Sequence, residues 1–356
     1  MTTTGGRMRD LGEKAFVASI LEMLTPDDRL LNGFGSDSSA VLLPAASGAL
    51  VLKIDRAAVP PSAIRGWSDY RVWGRLAVTS NCSDVLAGGG EPLAVMIALV
   101  LTDDFSSAYA REIVQGCAEE CAEHGIVFAG GDTKQGRESQ VIGCAVGTAP
   151  IDRILGRSGA HVGDIIVCAG ELGGFLGAYL RLDRTSRAGS PEIDQRLLDY
   201  IVHPRARWAE AKFLQQGPVA PVAAMDASDG LYDAVSTLAA PHGARIDHWT
   251  LPFHPMAAEC ELELQVPMLN LALMGDWNIF YIFRPDNWTV VETEARREGL
   301  QLTRVGVVTA EPGVRVAFSP GEEPRLLKPI YNDHFVARLE DEGSLLDRLK
   351  TPVVEV

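Results

Sequence analysis

Val222-Ala223-Ala224-Met225-Asp226-Ala227-Ser228-Asp229-Gly230 is the stretch from which the fold is read. Its apolar start predicts a buried strand, and the spacing of Leu231 to Ala240 after it predicts a helix. Between them lies an acidic turn, the place where open α/β sheets put their ligands. Four other stretches set an aspartate at the end of an apolar run: Gly35-Ser36-Asp37, Lys53-Ile54-Asp55, Asn81-Cys82-Ser83-Asp84 and Gly130-Gly131-Asp132.

Taken singly, an aspartate beside Gly or Ser is most simply a turn or cap residue. Taken together, Asp37, Asp55, Asp84, Asp132, Asp226 and Asp229 form an all-oxygen donor set. Mg2+ takes such donors together with phosphate and water, so the pattern points to Mg-nucleotide chemistry.

Working outward, Gly12 to Leu24 is predicted as an amphipathic helix, and Val41–Leu43 and Ala49–Ile54 as strands around an Ala45–Gly48 turn. Ser68–Ala87 and Ser106–His124 read as helices, and Leu93–Leu101, Ile126–Ala129 and Gln140–Gly147 as strands. A glycine-containing segment, Ile151 to Gly163, leads to a second sheet opening with Ile165–Ala169. Further helix is expected over Asp194–Gln215, interrupted at His203-Pro204, and over Val290–Glu298. Arg245–Trp249, Trp277–Phe283 and Val314–Phe318 are the remaining strand candidates. The expected class is α/β (α+β) with two domains, residues 1–150 and 151–340, and a peripheral tail, 341–356. Single cores seldom grow past about 250–300 residues, which favours two units in a chain of this length.

A net charge of −15 without any Lys/Arg run repels nucleic acid and anionic membrane surfaces. A phosphorylated ligand is still admitted, because a bound divalent cation inverts the sign of an aspartate cluster. The six cysteines form no C-x-x-C pair and read as reduced core residues. Neither a signal-peptide core nor an apolar run of about 18 residues is present, and a cytoplasmic protein is expected.

Several motifs occur in one order: Gly12-Glu13, Gly33-Phe34-Gly35-Ser36-Asp37, Leu76 to Gly90, Ala129-Gly130-Gly131-Asp132-Thr133, Arg157-Ser158-Gly159-Ala160-His161-Val162-Gly163-Asp164, Asp226-Ala227-Ser228-Asp229-Gly230-Leu231 and Asp333-His334-Phe335. They resemble the G-E-F, G-I-G-D-D, L-A-V-N-L-S-D, G-G-D-T, R-S-G-A-x-x-G-D, D-x-S-D-G-L and D-H-F motifs of the aminoimidazole ribonucleotide (AIR) synthetase superfamily, and within it of the thiamine-monophosphate kinases. The resemblance implies an AIR-synthase-like fold: an N-terminal mixed sheet with helices that pairs across a homodimer, and a C-terminal α/β sandwich. It implies Mg2+ on the six aspartates and ATP as co-substrate, held by Gly130, Gly131, Thr133, Arg157 and Ser228, with Arg157 and Asp132 in the catalytic roles. Phosphoryl transfer suits such a set, since it needs positioning and charge neutralisation more than covalent help.

Two departures concern the acceptor, a small molecule. Where the family has S-T-D and then a histidine in G-x-H-F, this chain has Lys53-Ile54-Asp55 and Arg56 to Ser62. Where the family has G-G-[DE]-D-Y-E-L, this chain has Met274-Gly275-Asp276-Trp277-Asn278-Ile279-Phe280. Lys53, Asp276 and Trp277 become the candidate substrate residues, and an acceptor other than thiamine phosphate is expected. The alternatives are an ATP-dependent ligase or cyclase of the AIR synthase type and a non-catalytic nucleotide-binding regulator. The absence of an early reactive cysteine and of a C-terminal one disfavours the selenophosphate and hydrogenase-maturation branches.

Overall fold

The computed structural model describes residues 18, 28, 30–32, 36–43, 48–187, 193–328, 345–351 and 354. The expected helix at Gly12 to Leu24, the Ala45–Gly48 turn and Asp333-His334-Phe335 lie wholly or mostly outside the described residues. The first sheet has the order β1-β2-β5-β3-β4, with β1 Ser39–Leu42, β2 Gly48–Ala57, β3 Glu91–Leu101, β4 Val127–Gln135 and β5 Gln140–Pro150. Among the described residues of this sheet only β3 and β4 pair in parallel, and the Ser107–Glu123 helix makes their crossover.

One face of this sheet is covered by the Arg71–Ala87 and Ser107–Glu123 helices. Inward positions alternate along the strands as period 2 requires: Ala49, Val51 and Ala57 on β2, and Val141, Ala145 and Ala149 on β5, are buried. Trp73 fills the end of this core and donates its indole N–H to the Ala57 carbonyl at 3.1 Å. Burying so large an apolar side chain is worth about 1.5–3 kcal/mol. The two helices meet through glycines. A Cβ on Gly74 would lie 2.0 Å from the Ile113 carbonyl oxygen, and one on Gly116 would lie 2.0 Å from that of Arg71.

The second sheet has the order β12-β11-β8-β10-β6-β9-β7. Its strands are β6 Ile165–Ala169, β7 Ala223–Asp226, β8 Gly243–Asp247, β9 Ile279–Phe283, β10 Leu302–Thr309, β11 Gly313–Ala317 and β12 Arg325–Leu326. Central β6 and β9 are buried at every position, which explains why their sequences are uninterrupted apolar runs. The Gly230–Ala239 helix packs on one face of it and the Trp208–Gln216 and Pro285–Arg297 helices pack on the other.

The apolar patterns gave most elements to within a few residues, with three instructive differences. Asp132 is not at a strand end, because β4 runs on through Gly130-Gly131-Asp132 to Gln135. Pairing with β3, Ile97 against Gly131 and Ala98 against Asp132, satisfies that backbone, and a Cβ at residue 131 would sit 1.7 Å from the Ile97 carbonyl oxygen. Asp55 likewise lies inside β2, whereas Asp84 lies inside the helix expected there. The Pro255–Leu264 helix and β10 were not anticipated. Pro255 reads as a breaker but occupies the tolerated first position of its helix, and Arg304 and Gly306 interrupt the apolar run of β10.

Candidate functional site

Three carboxylates from three elements converge. Asp37 precedes β1, Asp84 lies toward the C-terminal end of the Arg71–Ala87 helix, and Asp226 ends β7. All three are buried, and one oxygen of each lies within 4.8 Å of the others. The helix that carries Asp84 contacts both β2 of the first sheet and β7 of the second, so the cluster forms where the two halves of the chain meet.

Two cations border the cluster. Lys53, on β2, places Nζ 3.0 Å from Asp84 Oδ2, and the Arg157 guanidinium pairs closely with Asp37. Ser83 adds a neutral donor, its hydroxyl reaching Asp226 Oδ2 at 3.2 Å. Asn32 holds the turn that bears Asp37: its Nδ2 donates to the carbonyls of Ser38 (2.8 Å) and Leu155 (3.3 Å), and its Oδ1 accepts from the Ala40 N–H (3.0 Å). Asp37 and Arg157 are thereby fastened to one another through backbone as well as charge.

Burial raises all three carboxyls. For Asp226 burial and the facing Asp37 push it to about 7, against partial relief from Lys53, Arg157 and Ser83. Asp84 is held well above the ordinary range by burial and then by Asp226, and Asp37 is raised by burial although Arg157 opposes this. Burial works against the Lys53 ammonium, yet Asp84 and Asp55 outweigh it and keep the amine charged.

The set fits a hard divalent cation. Its donors are all carboxylate oxygens, the ligand type that Mg2+ takes, and one oxygen from each of the three side chains already lies within 4.8 Å of the others. It also suits a phosphate neighbour, since Arg157 Nε is buried with no hydrogen-bond partner among the described residues.

The remaining expected site residues are distributed as follows. Asp55 is half-buried on β2, accepts the Arg56 N–H at 2.7 Å, and stays outside the three-carboxylate group. Asp132 is 66% exposed, 3.5 Å from Lys134 Nζ, on β4 with Gly130, Gly131 and Thr133. Ser228 is exposed in the turn after β7, and Asp229 lines a cavity with Tyr232, Asn270 and Lys328. Asp276 is buried and its carboxylate accepts the N–H groups of Gly173 (2.7 Å) and Phe175 (2.8 Å) and the Tyr200 hydroxyl (3.3 Å). The glycine-rich turn before the Gly174–Arg187 helix thus directs the Gly173 amide, and the first turn of that helix the Phe175 amide, at an internal carboxylate. Trp277 beside it has φ 51°, a left-handed conformation rare for a bulky residue, and is half-buried.

Sequence reasoning left Asn32 and Ser83 without a role. Ser83 lies inside a quoted motif, one residue before Asp84, and its adjacency was the available signal. Nothing in the local sequence marks Asn32, whose partners include one at long range. All six cysteines are free, five of them buried. Among the described residues no helix is long and apolar enough to cross a membrane.

Comparison with known proteins points the same way. The family model for the N-terminal domain of AIR synthase related proteins matches residues 36–149. The thiamine-monophosphate kinase of Methanospirillum hungatei is 30% identical over 295 residues, covering 78% of this chain and 92% of the relative. That of Synechococcus elongatus is 28% identical over 338 residues, covering 89% and 94%. Among solved structures, a Thermus thermophilus protein superposes with a TM-score of 0.74 at 27% identity, covering 88% of this chain and all of that one. AaThiL, crystallised with AMPPCP and TMP, superposes with a TM-score of 0.74 at 24% identity, covering 90% of this chain and 98% of that one.

Proposed function

The chain belongs to the thiamine-monophosphate kinase family of the AIR synthase-related proteins and is an ATP-dependent kinase of that superfamily; from this we propose that it moves the γ-phosphoryl group of ATP to a small-molecule acceptor other than thiamine phosphate, at the Asp37, Asp84 and Asp226 cluster. The observation that carries the proposal is the convergence of those three buried carboxylates beside Lys53 and Arg157. Clustered carboxylates repel a bare triphosphate, and Mg2+ bound to them would supply Lewis-acid charge neutralisation of the transferring group.

The protein's own residues divide the work. Asp37, Asp84 and Asp226 form the cation seat, with Ser83 orienting Asp226. Arg157 brings a permanent charge and an unused Nε donor to the transferring phosphoryl group. Asp132, with Gly130, Gly131 and Thr133 on the exposed β4, and Ser228 are assigned to the nucleotide and the ions that accompany it, as are Asp55 and Asp229 at the borders. Asp276 acts as a positioning residue that fixes the Gly173–Phe175 turn, and Trp277 shapes the acceptor pocket beside it.

A homodimer is part of the proposal. On the face of the first sheet away from its helices, Ile54, Cys144 and Met96 form one cross-strand row, with Ile54 69% and Met96 43% exposed and Val127 61% exposed on β4. A second copy is the natural cover for such a face. Met96→Asp is expected to give a monomer by light scattering, and a monomeric parent protein removes the dimer.

The activity test is incubation with Mg-ATP and a panel of hydroxylated and phosphorylated metabolites, thiamine phosphate included. The expected result is acceptor-stimulated ADP release with one new phosphoester, from an acceptor other than thiamine phosphate. Phosphate release with amide or ring closure would move the chain to the ligase branch. Nucleotide binding without stimulated ADP release across the panel would leave a regulator.

A further inference from the structure

Lys53 is out of place by every rule of strand burial. It points to the helix-covered face of β2, in the same cross-strand row as Ala145 and Val95, which are 0% and 1% exposed. A lysine is seldom buried unless paired. Here the helix above supplies the pair: Asp84 Oδ2 lies 3.0 Å from Nζ, and the side chain keeps only 23% of its surface.

The charges around it are uneven. Asp37, Asp84 and Asp226 present three carboxylates, and Lys53 and Arg157 offset two of them. Without Lys53, Asp84 would be left with Ser83 as its chain neighbour and two facing carboxylates, an excess of negative charge that a further cation relieves. An ammonium differs from a metal ion here in two ways: it is tethered, so chelators cannot remove it, and its three N–H donors leave two for other acceptors after Asp84 takes one. A phosphate oxygen is a fitting acceptor for those two.

Building on the cation seat assigned above, we propose that Lys53 is a tethered cation occupying one ion position of the carboxylate cluster, so that this chain binds one divalent ion fewer than the same cluster would without the amine. The substitution of an ammonium at Asp84 also fixes that carboxylate before any nucleotide arrives.

Titrating Mn2+ alone into the full chain, by calorimetry and by loss of the free-ion electron paramagnetic resonance signal, tests this. Lys53→Ser is expected to bind one more Mn2+ per chain than the parent protein, and Lys53→Arg the same number as the parent. Equal counts for the parent and a folded Lys53→Ser overturn the proposal. Should Lys53→Ser unfold without metal, rescue of its circular dichroism by millimolar Mn2+ supports the proposal and absence of rescue overturns it. The count is independent of phosphoryl transfer: a parent protein that consumes no ATP would remove the kinase reading while leaving the ion count to decide this one.

Discussion

Two sets of buried carboxylates solve the same problem differently. The Asp276 carboxylate is held by neutral donors, two backbone amides and the Tyr200 hydroxyl, while the Arg207 guanidinium binds the backbone carbonyl of the same residue at 2.6 Å. Asp37, Asp84 and Asp226 instead face one another, with Lys53, Arg157 and one hydroxyl between three acids. A carboxylate saturated by amides is finished as part of the fold. Carboxylates that crowd together store repulsion, and a cation arriving from solution releases it. Burial alone therefore separates nothing, since all four are under 9% exposed; the identity of the partners does.

The largest expected effect lies on the crowded side. Asp84→Asn should lower Mg-dependent phosphoryl transfer by about a thousandfold, the scale of losing one electrostatic anchor in a transition state. The same change removes a repelling charge but also takes the carboxylate that pairs with the Lys53 ammonium, so metal-free thermal stability should fall less than it does in Asp276→Ala. An Asp84→Asn variant as destabilised as Asp276→Ala would erase the contrast with Asp276.

On the saturated side the order reverses. Asp276→Ala orphans two buried amides and should cost about 3 kcal/mol of stability, read by chemical denaturation. Asp276→Asn, which still accepts hydrogen bonds, should recover part of it. Were Asp276→Ala as stable as the parent while binding acceptor poorly, Asp276 would belong with the substrate after all.

A smaller effect follows from protons. Without metal, Asp226 keeps its proton up to about pH 7, whereas an unfolded chain releases it near 3.8. The folded state then binds the extra proton, so the contribution of this group to metal-free stability declines as pH rises between those values. Cations bind the deprotonated form, so Mn2+ affinity should fall about tenfold per pH unit below 7 if one proton is displaced. Mg2+ should accordingly raise the melting temperature more at about pH 7.5 than at about pH 5. Equal stabilisation at both pH values would mean the cluster does not hold the ion. Least affected should be Asp132→Asn in the absence of nucleotide, with Mn2+ affinity changed by no more than about twofold, since an exposed carboxylate contributes little alone.

Much of this contrast was legible in the residues. The alternation of β2 and β5, the uninterrupted β6 and β9, and the strand, turn and helix at Ala223–Ala239 follow from apolar period alone. The motifs that follow the apolar runs nominate six aspartates, Asp37, Asp55, Asp84, Asp132, Asp226 and Asp229, of which three meet. What the chain did not disclose locally is which aspartates meet, because Asp37, Asp84 and Asp226 come from three elements joined only by tertiary packing. Lys53 shows the limit best. Its neighbours in sequence read as a strand with a charge on it, and only the helix crossing above reveals that the charge faces inward. Asp276 gave the opposite difficulty: a motif position suggested contact with ligand, while its partners are the amides of residues about a hundred positions away.

The glycine contact between the Arg71–Ala87 and Ser107–Glu123 helices carries one more consequence. Any side chain at Gly74 or Gly116 must push backbone apart, and the first of these helices is the beam on which Asp84 is mounted. In a saturation library scored by growth or turnover, positions 74 and 116 would therefore tolerate as little as the aspartates themselves, although neither glycine has a side chain to offer a ligand. Such a map would mark as essential two places where chemistry never happens.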